Sequence, residues 1–173
     1  MTAAIAQLGE PVLRRRAEPV DHFDDRLGAL LTTLTDTMHA SNGVGIAAPQ
    51  IFVSQRVMII ASRPNPRYPD APIMEPLAMI NPELGEPQGE WIEAWEGCLS
   101  VPGIRGKVRR RNAVSARFQD ADGRWHQRHF EGFVARIVQH EFDHLEGRTF
   151  LDHITNGSDL IASSVWERQC QGD

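Results

Sequence analysis

Cysteine is scarce in this 173-residue chain: Cys98 and Cys170 are its two thiols. Two thiols do not make a disulfide-stapled scaffold, and a chain of this length can bury a full core without staples. An apolar run long enough to span a bilayer is also missing. The opening MTAAIAQLGEPVLRRR has no basic segment followed by an apolar stretch, so no signal peptide is expected and a reducing, cytoplasmic setting is. In such a setting a thiolate serves in metal ligation or nucleophilic attack. Positive charge is not in excess either. The formal net charge is -5, which argues against a surface built to coat nucleic acid. There is no internal repeat, low-complexity tract or linker, so residues 1–173 read as one domain with a short polar tail from about residue 158. What is present, 41% apolar and 24% charged residues, is the balance of a soluble globular protein.

The periodicity places the elements. Leu27, Leu30, Leu31, Leu34 and Met38 recur at helical spacing over 24–42, with Asp24 and Asp25 suited to the first turn and Asn42-Gly43 to the stop. Gly43 to Gln50 (GVGIAAPQ) is rich in small residues and reads as a tight loop. Short strands are expected at Val57–Ala61 and Leu77–Asn81, separated by an irregular Pro-rich loop over 63–76. From Glu90 to Phe130 the pattern is β, with Asp122-Gly123 turning a hairpin whose return is Trp125–Phe130. Helical periodicity resumes over Gly132–Glu146 and Gly147 ends it. This helix is apolar on more than one side and should run through the core. A short polar helix around Leu160, Ile161, Val165 and Trp166 is expected in the tail. The fold class is α+β.

The chemistry centres on His140-Glu141-Phe142-Asp143-His144. Residues four apart share a helix face, so both imidazoles can reach one ion, and Glu141 can reach a water bound to it. Two core histidines beside solvated acids are the plain alternative, but that leaves four polar side chains in or beside an aliphatic helix. A catalytic site wants three protein ligands and an open position. Asp152 and His153 downstream are candidates for the third. Cys98, in Glu96-Gly97-Cys98-Leu99-Ser100, is the better one, although taken alone it reads as a small buried hydrophobe.

Three segments in order resemble the signature motifs of the peptide deformylase family, in its bacterial form. They are Gly43-Val44-Gly45-Ile46-Ala47-Ala48-Pro49-Gln50, Glu96-Gly97-Cys98-Leu99-Ser100 and Gln139-His140-Glu141-Phe142-Asp143-His144. The resemblance extends from about Gln7 to about Asp152. It implies an α+β fold of mixed β-sheets wrapped around a central metal-binding HExxH helix. It implies an enzyme acting on a linear amide, removing the N-formyl group from the formyl-methionine of newly synthesised proteins and releasing formate. The implied metal ligands are Cys98, His140 and His144, with Fe(II) as the natural ion and Zn, Ni or Co able to replace it.

The same resemblance assigns roles. Glu141 is the general acid/base. Gln50, through its side-chain amide, and Leu99, through its backbone N–H, would face the oxyanion. Val44 and Gly97 would offer backbone bonds to an extended substrate. Gly45, with Gly43, would let the loop pass close to metal and substrate. Val44, Phe133 and Ile137 would line the methionine pocket, and for these simple core packing is the competing account. From the residues themselves, Asp143 could orient a ligand or a neighbouring segment and Arg105 could pair with Glu96 near the mouth of the site, and for both an ordinary surface ion pair is the competing account.

Implied partners are nascent formyl-Met polypeptides, with transient ribosome contact, no membrane and no specific nucleic-acid sequence. The basic run Arg105–Arg111 (RGKVRRR) could touch ribosomal RNA or be a solvated face paired with acids. Two rival functions remain: an HExxH peptidase cutting internal bonds, and a binding module with a closed structural zinc site.

Overall fold

The computed structural model describes residues 1–65 and 68–171. Helix α1 (Asp25–Ala40) begins where the Asp24 carboxylate accepts from the backbone N–H of Arg26 and Leu27, satisfying two of the donors a helix start leaves free. Its Leu27, Leu34 and Met38 are buried against Ile46, Ile59 and Ile80. Expected bounds of 24–42 therefore shorten to the residues between the cap and the turn.

Seven strands form one sheet: β1 (Gly45–Ala47), β2 (Val57–Ser62), β3 (Met74–Leu84), β4 (Gln88–Cys98), β5 (Val101–Gln119), β6 (Trp125–Glu131) and β7 (Leu160–Ala162). The order is β1-β2-β3-β5-β4, with β6 and β7 also paired to β5. Every one of these pairings is antiparallel, so the expected mixed β-sheets are replaced by an antiparallel one. Among the described residues the parallel contact is an isolated bridge, Glu18 to Gln55. The cause lies in the connections. The β4–β5 and β5–β6 links are short reversals, and β3 runs on into β4 along the same strand β5, whereas parallel neighbours need long crossovers.

Strand β5, 19 residues long, is the spine. Its first half pairs with β4 and β7, its second with β3 and β6. Helix α2 (Gly132–Leu145) lies on the inner face. Ala135, Ile137, Val138 and Leu145 pack there with Met58, Ile60, Met79, Val114, Phe118 and Phe130. Gly147, at φ 72°, follows the helix. A Cβ there would stand 2.9 Å from the Arg14 backbone, so its site demands glycine twice over.

Three expectations change. The segment from Gly43 to Gln50 is not all loop: it contains β1 and enters a 3-10 turn, Ala48–Ile51. Strand β1 lies beside α2, where Gly45 leaves room for Glu141. The Pro-rich stretch ends earlier, because β3 begins at Met74. Pro76 falls where the β2–β3 register shifts, a position that tolerates a missing donor. Pro66 and Arg67 of that stretch lie outside the described residues. Leu160 and Ile161 pair as strand with Gly106 and Arg105, and helix α3 (Ser163–Gln171) starts only after them. Among the described residues no helix is long and apolar enough to cross a membrane.

Candidate metal centre

His140 and His144 lie one turn apart on α2, with ring centroids 5.2 Å apart and edge to face. Cys98 ends β4 at the β4–β5 reversal, and its Sγ is 3.3 Å from His144 Nε2. The ligand atoms of Cys98, His140 and His144 all lie within 4.8 Å of one another. Two elements far apart in sequence thus bring one sulfur and two nitrogens together, a donor set suited to a borderline divalent ion. The other two candidates are occupied elsewhere. Asp152 pairs with Arg14 at 2.7 Å, and His153 Nε2 with Asp143 at 2.7 Å.

The surrounding polar groups hold the donors in the state that ligation needs. His140 Nδ1 is 2.8 Å from Glu96 Oε2. A carboxylate only accepts, so Nδ1 carries the proton and Nε2 keeps its lone pair for an ion. Burial works against the Cys98 thiolate, but the imidazoles of His144 and His140 bring the thiol down to about 5. Burial also disfavours a charged His140, yet Cys98 and Glu96 hold its pKa well above 6.5. A metal ion arriving here would displace the second proton, on Nε2, and leave the Nδ1 proton with Glu96.

Glu141 differs from every other acid at the site. It is buried, and its Oε2 has no hydrogen-bond partner in the protein. Burial pushes its carboxyl up to about 7, against the pull of His140 and His144. An unpartnered buried carboxylate oxygen is costly unless something polar visits it. A Cβ on Gly45 would stand 2.8 Å from Glu141 Cγ and Cδ, so the glycine makes room for this side chain.

Gln50 is buried in the 3-10 turn. Its carbonyl oxygen accepts from Ala47 N–H at 2.9 Å. That fixes the amide, whose nitrogen reaches Ser100 Oγ at 3.2 Å and Cys98 Sγ at 3.6 Å. The expected Arg105–Glu96 pair does not form. Arg105 donates to Tyr68 Oη at 3.0 Å and lies 4.0 Å from the Trp166 ring. Glu96 instead receives Arg110 Nε at 2.6 Å and Arg136 at 2.8 Å. Burial alone would raise its pKa, but Arg110 and the His140 hydrogen bond keep it well below the usual carboxylate range. Arg110 also meets Asp143 at 3.0 Å. Asp143 therefore orients Arg110 and His153 and stays away from the metal donors.

A cavity of about 250 Å³ opens over these groups. Val44, Gly45, Gln50, Gly97, Leu99, Phe133 and Ile137 all line it beside Cys98, His140 and Glu141. His144 sits behind, fully buried. The sequence reading missed Tyr68, Trp95 and Arg136 in this wall. Tyr68 carried a faint signal, as the one tyrosine of the chain set within the Pro-rich segment. It packs 4.8 Å from the Phe133 ring.

A sequence profile of the family described as polypeptide deformylase matches residues 2–159. Peptide deformylase 2 of a Nostoc species is 48% identical over 164 residues, covering 94% of this chain and 92% of that protein. Peptide deformylase 2 of Shewanella oneidensis is 46% identical over 148 residues, covering 86% of this chain and 82% of that protein. Among solved structures, the Met-Ala-Ser-bound class I type b peptide deformylase from Acinetobacter baumannii superimposes with a TM-score of 0.87. It is 46% identical and covers 89% of this chain and 99% of that one. The actinonin-bound peptide deformylase from Synechococcus elongatus has a TM-score of 0.80 and 33% identity, covering 90% of this chain and 80% of that one.

Proposed function

The chain belongs to the polypeptide deformylase family and removes the N-formyl group from newly made peptides; from that premise we propose how its own residues do so. Residues 1–173 act as one catalytic domain, working in the cytoplasm on formyl-Met polypeptides near the ribosome. Cys98, His140 and His144 hold one divalent ion on the central helix α2, Fe(II) by family resemblance, with Zn, Ni or Co able to take its place. When bound, that ion polarises the formyl carbonyl and lowers the pKa of water.

Glu141 takes the proton of the attacking water and passes it to the amine as the formyl C–N bond breaks, leaving formate and a free N-terminus. A carboxyl poised near neutral pH suits both transfers. The Gln50 amide nitrogen and the Leu99 N–H donate to the oxygen as it gains charge. Their worth lies in strengthening in the transition state rather than in the bound substrate. Glu96 keeps His140 in its ligating tautomer and orientation.

The substrate lies extended along the backbone of Val44, Gly45 and Gly97, which reads main chain and tolerates varied sequences. Its methionine side chain enters the space between Val44, Phe133 and Ile137.

One observation carries this reading: the unpartnered, buried Glu141 oxygen beside a Cys-His-His group, in an apolar-walled cavity. A structural zinc site would have no use for such an acid. The test is release of the free N-terminus from formyl-Met-Ala-Ser, measured beside acetyl-Met-Ala-Ser. The formyl peptide is expected to be cut far faster, because the acetyl methyl occupies the space where formyl presents hydrogen. Equal rates, or cleavage of internal peptide bonds instead, contradict the reading.

A further inference from the structure

The β4–β5 hairpin carries a second face, which borders the hydrolytic cavity only at its Trp95 end. Side chains alternate along a strand. Val108 and Arg110 of β5 are buried on the inner face. Lys107, Arg109 and Arg111 therefore stand on the outer one, in register with Trp95, Glu93 and Trp91 of β4. Each cation meets an indole. Lys107 Nζ lies 5.2 Å from the Trp95 ring, and the Arg109 and Arg111 guanidinium groups lie 5.2 and 4.5 Å from that of Trp91.

The charge there is not balanced. Glu93 pairs with Lys107 at 3.9 Å. Among the described residues, Arg109 and Arg111 have no carboxylate within ion-pair reach, and Arg111 donates only to the Gly89 carbonyl at 2.8 Å. Between them Trp91 remains 49% exposed. A locally cationic patch on a chain of net charge -5 invites an anion. A half-exposed indole between two guanidinium groups invites something flat and apolar as well. A solvated basic face needs no tryptophan, and a protein partner would have to bring a carboxylate for each guanidinium group, because a buried, unpaired charge is costly. Phosphates with unstacked bases satisfy both demands.

We infer that the outer face of the β4–β5 hairpin docks single-stranded RNA, with Trp91 stacking on a base and Arg109 and Arg111 holding the flanking phosphates. RNA is favoured over DNA because the enzyme acts on newly made peptides, whose synthesis takes place on RNA; this choice rests on the proposed function, the surface itself does not. Trp91, Arg109 and Arg111 are absent from the walls of the catalytic cavity, so both sites can be filled together.

The test uses the full-length, metal-loaded enzyme and a fluorescein-labelled 12-nucleotide RNA of mixed, unstructured sequence, read by anisotropy. Two phosphate contacts imply that affinity falls about sevenfold between 50 and 200 mM salt. Trp91→Leu is expected to weaken binding by roughly fivefold to a hundredfold. The double variant Arg109→Gln with Arg111→Gln should weaken it more than tenfold and flatten the salt dependence. Formate release from a short formyl-Met peptide should stay within about twofold of wild type in every variant, which certifies their folding independently of RNA. Failure of wild type to bind, or unchanged binding by both variants, overturns the inference. Competition by inorganic polyphosphate as effective as by RNA removes the stacking role, and equal affinity for DNA of the same sequence overturns the assignment to RNA.

Discussion

Single side chains divide here into those that hold the ion and those that handle the reaction. Cys98, His140 and His144 are the proposed holders, so Cys98→Ala should strip most of the metal, because affinity follows ligand number and geometry. Full metal content in that purified variant, measured by atomic emission, would reassign the third ligand. Gln50 handles charge. Its amide is fixed through the Ala47 N–H, and Gln50→Leu keeps similar bulk while deleting the donor. Turnover should fall by about 10²–10³, the loss typical of an oxyanion-hole donor. The lower end is expected, since a bound ion would share the oxyanion. KM and metal content should barely move. A raised KM with unchanged kcat would make Gln50 a binding residue. These residues were legible because their identities and order resemble a family. Arg110 was not legible. Arg105, Arg109, Arg110 and Arg111 look alike in a basic run, and only strand parity and hairpin register show which guanidinium turns inward to Glu96.

At the scale of the element, the centre depends on how closely β1 and β4 approach α2. Gly45 is the tightest point. In Gly45→Ala the new Cβ would stand 2.8 Å from Glu141 Cγ and Cδ, so strand or base must shift. Overpacking of this kind costs about 1–3 kcal/mol, and displacing the base should lower kcat more than it raises KM. Thermal unfolding beside steady-state kinetics checks both; native kcat in Gly45→Ala would show that the base has room to spare. Helices α1 and α2 could be read from their helical periodicity, β2 from its apolar β-branched run and β6 from the Asp122-Gly123 turn that precedes it. Strand β1 could not, because its three residues, Gly45, Ile46 and Ala47, are buried throughout and show no alternation. Strand β7 was hidden for a similar reason. Its Leu160-Ile161 pair suits a helix locally, and only the edge of β5 claims it as strand.

On the scale of the whole molecule, two apolar clusters hold α1 and α2 to the sheet, and neither depends on an ion. Chelation should therefore abolish formate release while far-UV circular dichroism stays close to native. Unfolding on metal removal would favour a structural site instead. The buried acids set the response to pH. Burial works against the charged forms of Glu96 and Asp143. Arg110 and the His140 bond lower Glu96, while the His153 bond and Arg110 lower Asp143. Depressed acids bind fewer protons folded than unfolded. Their stabilisation is thus complete above the ordinary values of 4.5 and 3.8 and fades as pH falls toward the folded values. Glu96→Gln leaves buried cations uncompensated and should cost about 3 kcal/mol at pH 7, the low end for a broken buried pair, because Arg110 keeps Asp143. In urea titrations the gap from wild type should narrow below pH 4.5. A gap independent of pH would mean that Glu96 contributes by packing alone.

The central claim is that Glu141 moves protons in a site whose metal is held by Cys98, His140 and His144. Glu141→Gln preserves shape and removes the proton acceptor, so formate release and metal content measured on one sample of this variant test the claim most directly. The account predicts a folded protein with its full complement of metal and a rate lower by at least the roughly 10²–10⁴-fold of a lost general acid/base. Near-native turnover in that metallated variant would contradict it.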